Sequence, residues 1–436
     1  MESEMKAAEG WEKYKVRDIC ELGRGRVISG QEIERNPGIF PVYSSQSSNN
    51  GKMGTIDTFD FDGEYVTWTT DGAYAGTVFY RSGHFNCTNV CGTLRAKDTR
   101  VCMSFLAYKL STLAKGYVSY VGNPKLMNGV MADIEFSIPI SKLEQTKIAE
   151  ILSTVDRAIE QTEALIAKQQ RIKTGLMQDL LTRGIDKHGN LRSEQTHRFK
   201  DSALGRIPVE WEVQPLGNAL HKAKGFLQTG PFGSQLHANE YVQEGIPVIM
   251  PQDIFEGCVL EIMIARIPKN RAEDLRKHRV QVNDIVFSRR GDLSRTAVIG
   301  DREVGWLCGT GCFLLRASSN EMDTHWLADL YQHHLTQRQI ETNAVGSTMP
   351  SLNNTVMEQL TMAFPSLEEQ HEITCRWEAT DRNISAIRNH LLKLRSLKTA
   401  LMQDLLTGKK RVWNYFDELS THIRAGTGAC PYGILI

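Results

Sequence analysis

Four carboxylates crowd into residues 57–64: Asp57, Asp60, Asp62 and Glu64. Clustered oxygens are what a divalent metal needs to assist phosphodiester cleavage, so this stretch raises a self-sufficient metal-dependent nuclease. The PD…(D/E)xK arrangement of such enzymes is missing, and acidic residues are ordinary in turns between strands. Cys87 and Cys91 sit four apart, as do Cys308 and Cys312. Zinc sites draw on CxxC pairs, so this spacing reads better as two small thiols sharing the buried face of one strand. The chain has no GxxxxGK[ST], HExxH or GxSxG, and no GxGxxG after a strand. The Asn/Asp-Pro-Pro-aromatic tetrapeptide of amino-methyltransferases is also absent.

Chemistry suited to nucleic acid is better represented. The run YSSQSSNNGK (43–52) supplies Ser44, Ser45, Gln46, Asn49, Asn50 and Lys52, which can donate to and accept from base edges. Thr69 and Tyr74 follow in an aromatic, hydroxyl-rich stretch, and KGYVSYVGNPK (115–125) adds basic groups and aromatics, ending in Lys125. Residues 266–302 hold ten Lys or Arg against five Asp or Glu, a local net of +5. From that stretch Lys269, Arg271, Arg289, Arg290 and Arg295 are candidates; Ser347 and Thr348 complete the set. Arg289-Arg290-Gly291-Asp292 reads as a strand-end turn, where two guanidiniums suit phosphate or guanine. Each of these residues alone is an ordinary solvated side chain. As amide-rich and basic loops in both halves, they favour nucleic acid over other ligands.

The elements that would carry these loops are announced by a repeat. LMQDLLT occupies 176–182 and again 401–407, an offset of 225. At the same offset Gln145 falls on Gln370, Ile148 on Ile373, Asp156-Arg157 on Asp381-Arg382, Ile159 on Ile384 and Lys173 on Lys398. Leu126-Met127-Asn128 meets Ser351-Leu352-Asn353, which suggests an ungapped match of more than fifty residues. Upstream, Gly10-Trp11-Glu12 is echoed by Glu210-Trp211-Glu212, and IFPVYSS (39–45) more faintly by IPVIMPQ (246–252). The middles of the two copies diverge.

Steps of four and three through the repeat give Ile148, Leu152, Ile159, Ile166, Leu176 and Leu180, and in the second copy Ile373, Ile384, Leu391, Leu401 and Leu405. Apolar residues hold most such positions for about five heptads, a coiled-coil signal. No proline interrupts 140–182 or 366–407; Pro139 and Pro365 precede these spans, and Gly184 and Gly408 follow them. A helix of that length runs roughly 60 Å at ~1.5 Å per residue and cannot bury its own stripe, so the two copies are expected to pair.

With 436 residues, 41% hydrophobic and 23% charged, the chain has the composition of a multi-domain globular protein. Its 51 basic residues cancel 51 acidic ones, so any nucleic-acid surface must be local. The polar start, MESEMKAAEGWEKYK, and the lack of an apolar run long enough to span a bilayer point to the cytoplasm and away from a membrane. Nine cysteines, an odd count with no export signal, argue against a disulfide framework.

The expected fold is α+β, with two pseudo-repeats, each a β-rich globular domain followed by a long helix. Short helices are expected at 103–114 and 323–338. The divisions are 11–140 and 211–365 for the globular domains, and 141–183 and 366–408 for the helices. A polar, extended linker is expected at 184–210, and the tail 409–436 is left unassigned. This layout resembles the specificity subunit of type I restriction–modification systems. FDFDGEYVTWTTDGAYAGTVFYRSGHFNCTNVCGTL (59–94) looks like a target-recognition domain of that family. GNPKLMNGVMADIEFSIPISKLEQTKIAEILSTVDRAIEQTEALI looks like its central conserved region, and GSTMPSLNNTVMEQLTMAFPSLEEQHEI (346–373) like its distal one. The resemblance implies a non-catalytic, DNA-binding subunit that reads a bipartite double-stranded site, with the antiparallel helices setting the separation of the halves. It implies two modification (methyltransferase) subunits and restriction/translocase subunits as partners. No cofactor is expected on this subunit, and S-adenosylmethionine, ATP and Mg2+ are expected on the partners. Alternatives are the metal-dependent nuclease and a coiled-coil adaptor without DNA contact.

Overall fold

The structure is a computed structural model that describes residues 8–46, 48–344 and 350–412. The expected tail and the candidates Ser347 and Thr348 lie outside the described residues, apart from the tail's first four positions. The chain divides into two compact units, one formed by residues up to 165 with those from 387 onward, the other by residues 166–386. The fold is α+β, and each unit holds one β-rich domain with parts of both long helices.

In the first unit the described residues before the first long helix form ten strands: β1 (Trp11–Lys15), β2 (Cys20–Arg24), β3 (Pro37–Tyr43), β4 (Lys52–Ile56), β5 (Phe61–Asp62), β6 (Tyr65–Thr69), β7 (Val78–Arg81), β8 (His84–Cys87), β9 (Cys91–Ala96) and β10 (Glu135–Pro139). They form sheets of order β2-β9-β6-β7 and β4-β3-β8-β5, while β1 pairs with β10. The Met103–Leu113 helix packs Phe105, Leu106 and Leu110 into a core shared with Trp11, Trp68 and Leu94.

The second unit begins its described strands with β11 (Phe199–Ser202) and β12 (Gly205–Pro208), followed by β13 (Glu212–Pro215), β14 (Phe226–Thr229), β15 (Ile246–Ile249), β16 (Ile254–Phe255), β17 (Cys258–Val259) and β18 (Ala265–Ile267). Then come β19 (Ile285–Ser288), β20 (Thr296–Val298), β21 (Leu307–Cys308), β22 (Cys312–Arg316) and β23 (Thr361–Phe364). The sheet β14-β22-β19-β20 repeats the order of β2-β9-β6-β7, and β18-β15-β21 repeats β4-β3-β8. Even the rarer parallel pairing recurs, β3 with β8 and β15 with β21. Sequences that diverge in their middles therefore share one topology.

Three expectations change. The linker is no bare extended tether: β11 and β12 form an antiparallel hairpin, because Ile207 joins Trp211 and Ala363 in an apolar cluster that ties it down. The helix expected over 323–338 is broken at His333, whose extended backbone (ψ 141°) separates Thr324–Gln332 from His334–Asn343. The repeat also carries a one-residue offset. Glu12 faces Ile138 as Glu212 faces Phe364, and Leu126 N–H donates to Thr70 O as Leu352 N–H donates to Arg289 O. Leu126 thus matches Leu352, and the extra residue is the exposed Ile140, after which Ser141 and Ser366 both cap their helices through Oγ.

The long helices are Lys142–Thr182 and Leu367–Leu405. In the first unit Lys398 pairs with Asp156 (2.6 Å) and Arg395 with Glu163 (2.7 Å), so numbers rise on one helix as they fall on the other. In the second unit Lys173 pairs with Asp381 and lies 4.0 Å over the Trp377 ring. The helices are antiparallel, and the same repeated Lys–Asp pair is made twice with the roles of the copies exchanged. Ile148, Leu152, Leu401 and Leu405 share the first unit's core; Leu180 and Ile373 share the second's, with Leu176 packed against it. Ile384 and Leu391 are buried, whereas Ile159 and Ile166 are half-buried. Each buried leucine here contributes roughly 1.5–3 kcal/mol.

The heptapeptide earns its repetition at its end. Gly184 and Gly408, each just past a copy, adopt φ of +61° and +74°, the left-handed conformation that ends helices. A Cβ on Gly184 would collide with Trp211, and one on Gly408 with Trp11. Glu369, inside the second unit, takes a bidentate pair from Arg192 and a hydrogen bond from Trp211 Nε1 (3.2 Å). Glu144, its counterpart, takes one from Arg411 (2.6 and 2.7 Å). Gln145 and Gln370 each accept from the residue that opens a domain helix, Cys102 N–H and Asp323 N–H. Each heptapeptide therefore docks its helix end onto the domain of the other copy.

Candidate nucleic-acid interface

The equivalent strand ends β6 and β19 each run into a turn that is clamped by a later segment. In the first unit Asp71 bridges Lys125, and Gly72 N–H donates to Pro124 O (3.0 Å). In the second, Arg290 bridges Ser351, and Gly291 N–H donates to Pro350 O (3.1 Å). The chemistry placed on this shared frame differs. Asp71 is held by Arg24 (3.3 Å) and Lys125 (3.8 Å), with Tyr74 exposed beside them. Arg289 donates from Nε to Leu352 O (3.0 Å), with its guanidinium 5.9 and 5.8 Å from the centroids of the Phe232 and Phe313 rings. Burial, with the Arg290 charge beside it, lowers the Arg289 pKa. Arg290 is exposed and, among the described residues, has no carboxylate in ion-pair reach. Arg289 holds the turn, and Arg290 presents charge.

The β3–β4 loop gathers most of the amide candidates. Gln46 donates to Lys52 O, and Ser44 N–H to Gly51 O (2.9 Å), closing the loop on itself. Arg81, stacked 3.5 Å over Tyr43 and almost wholly buried, donates to Asn50 O (2.8 Å) from beneath. Asn49 and Asn50, at φ 49° and 53°, are left exposed, with Ser44, Ser45 and Lys52 half-buried around them. Asn tolerates this left-handed backbone better than most residues.

Thr69 is corrected: at 1% exposure it is a core residue, because the β6 residues from Val66 to Thr69 are all buried. Arg271 is engaged by Glu240 and Asp274, and Arg295 by Asp292 (3.1 Å) and the Pro251 carbonyl (3.1 Å), so both hold loops together. Lys269 is exposed. The cysteine reading changes too. Cys87 and Cys91 flank a turn between β8 and β9, and Cys308 and Cys312 one between β21 and β22, rather than sharing a strand. All four are buried, and burial raises the thiol pKa of Cys308 and Cys312. The four carboxylates do not converge: Asp60 pairs with Arg26 (3.0 Å), Asp62 with His84 (3.2 Å), and Glu64 accepts from Tyr80. Among the described residues no group of three His, Cys, Asp or Glu is placed to hold a metal ion. None of their helices is long and apolar enough to cross a membrane.

Residues 8–169 and 208–394 match the family model for the type I restriction modification DNA specificity domain, one match in each half. The chain belongs to this type I specificity family. Among relatives, the type I restriction enzyme MjaVIII specificity subunit of Methanocaldococcus jannaschii is 23% identical over 94% of this chain and 95% of its own length. A type I specificity subunit N-terminus from Mycoplasma pneumoniae is 54% identical over 32% of this chain and 75% of its own. The MpnII specificity subunit of that organism is 46% identical over 34% of this chain, a match spanning only 44% of the relative. The crystal structure of a type I S subunit from M. genitalium has the same fold, with a TM-score of 0.60 at 16% identity over 92% of this chain and 97% of the other.

Sequence reading missed the residues that support these loops. Arg24 and Arg81 act from strands and carry no motif. Glu144 and Glu369 were detectable, since they match at the 225 offset. Arg192 and Arg411 lie outside it, in segments of unlike sequence.

Proposed function

We propose that this chain is the non-catalytic specificity subunit of a type I restriction–modification complex. Each β-rich domain reads one half of a split double-stranded DNA site, and the paired helices act as the spacer between the readings. The observation that carries this is one strand order used twice under two unlike sets of exposed loops, on a scaffold that repeats its ion pairs. A duplicated reader with divergent contact residues is what two different half-sites require. Two methyltransferase subunits, carrying S-adenosylmethionine, dock on equivalent helix faces. Restriction/translocase subunits using ATP and Mg2+ join them, and the complex works in the cytoplasm.

The test is methylation of random-sequence DNA by this chain mixed with the methyltransferase encoded beside it. A split adenine motif is expected, and methylation with no preferred split sequence rejects the proposal. Inserting four residues within 160–170 is expected to change the spacer between the half-motifs or to unpair the helices. An unchanged spacer at full activity rejects the ruler.

A further inference from the structure

Of the four most exposed large apolar side chains described in the first unit, Val27 and Ile39 stand apart from each other, whereas Tyr120 and Val121 are adjacent. Tyr120 and Val121 are 72% and 93% exposed and form the tip of one loop. A lone exposed apolar residue is ordinary, but two at the end of a braced loop form a surface with a purpose. The base of this loop is tightly held. Ser119 and Lys125 exchange both backbone hydrogen bonds (2.9 Å each), and Leu126 N–H donates to Thr70 O (2.9 Å). Trp68 Nε1 in the core donates to Leu126 O (2.9 Å). Val118 is buried against the turn at Gly76, and Gly122, at φ +78°, turns the tip back. The tip is therefore presented rigidly, so little conformational entropy is lost when it is covered.

Its surroundings select a polyanion. Between Asp98 and Asp133 the chain carries Arg100, Lys109, Lys115 and Lys125 and no carboxylate. Lys115 and Tyr117 before the tip and Lys125 after it are exposed, and exposed Tyr74 lies on the turn whose Gly72 N–H donates to Pro124 O. Asp71, whose backbone bridges Lys125, is paired chiefly with Arg24 (3.3 Å), with Lys125 farther off at 3.8 Å. Apolar side chains flanked by phosphate-binding lysines are how proteins part stacked bases and kink a duplex.

Resting on the DNA-reading proposal above, we propose that Tyr120 and Val121 form an apolar wedge that enters duplex DNA between two base pairs. Lys115 and Lys125 hold the flanking phosphates. The wedge belongs to the half-site read by the first domain, and its discrimination comes from the ease of unstacking one base step.

The experiment uses the full complex with its methyltransferase and the Tyr120→Ser/Val121→Ser double variant, whose changes are at the surface and leave the core alone. Methylation of a random-sequence plasmid library, read by sequencing, gives the motif. Anisotropy and an electrophoretic bend assay are then run on a duplex carrying the wild-type motif. The wild type is expected to bend that duplex by about 20–90°. The double variant assembles normally, binds about tenfold more weakly, the weight of one base–aromatic contact, loses the bend, and relaxes one position of one half-motif. A wild-type motif, affinity and bend that survive the double variant overturn the wedge alone. Loss of assembly with the methyltransferase instead makes the tip a protein contact and overturns it as well. A wild-type complex with no split motif overturns the DNA-reading proposal and the wedge with it.

Discussion

The two β-rich domains share the strand order of a four-stranded sheet and of three strands in a second, yet their sequences between the repeated ends are unlike, while the long helices share a heptapeptide and a reciprocal Lys–Asp pair. The difference shows which constraints act where. Helix residues must fit a partner that is itself a copy, so the two copies are held to one pattern of contacts. A strand needs only a buried face and a ladder, conditions that many β-branched and aromatic sequences meet. Exposed loops at strand ends are held by neither and are free to carry different contacts.

The likeness breaks most sharply at the buried acids. Glu369→Ala strands Arg192, which is 9% exposed, and is expected to cost the second unit about 3–5 kcal/mol. Glu144→Ala leaves an Arg411 side chain that is 32% exposed and can reach water, and is expected to cost less. Urea unfolding of both variants measures the gap, and equal losses would remove the distinction. The heptapeptide sharpens the likeness instead. Leu180→Ala and Leu405→Ala, at twin positions of 1% and 0% exposure, are each expected to lose about 2–5 kcal/mol. A neutral result at one of them means that only one helix end is docked.

A further contrast lies where a domain helix meets the long helices. Tyr108 donates to Asp156 (2.7 Å) in the first unit, whereas the corresponding place in the second is Asp329. Burial, opposed by Lys173 and reinforced by Asp381, pushes the Asp329 carboxyl up to about 8, against about 3.9 in an unfolded chain. The folded state holds this proton more tightly than the unfolded one, so the stabilisation is complete below pH ~4 and is lost as pH rises through 8. Asp329→Asn is expected to raise the melting temperature at pH 8.5 by on the order of 2–4 °C, with little change at pH 5. No gain at pH 8.5 would show that Asp329 is already ionised without penalty. The smallest effect is expected at the turn: Arg290→Ala should reduce the salt dependence of DNA binding by about one phosphate contact and leave stability unchanged. Arg289→Ala should also loosen the turn, because it loses the bond to Leu352 O; identical behaviour of the two variants would erase their assigned roles.

Much of the architecture was legible because periodicity and repetition are local signals. The apolar stripe through Ile148, Leu152, Leu401 and Leu405 marked the buried face of both helices, and the bounding prolines and glycines marked their ends. The interface was legible only as a list of polar and basic residues. Thr69 looked like a contact until its strand proved to be buried on both faces, and Arg271 and Arg295 until their carboxylates were found. Polarity in a sequence does not reveal whether a group faces solvent or another residue of the same chain.

By itself the sequence determined that two helices of one design would pair and that two unlike domains would ride on them, since a stripe too long to bury alone demands a copy of itself. Only the tertiary structure decided which end of each helix meets which domain. That pairing depends on Trp11 and Trp211, on Glu144 and Glu369, and on Arg192 and Arg411. These groups are far apart in the chain, and their association depends on shape and buried charge, which no linear pattern encodes.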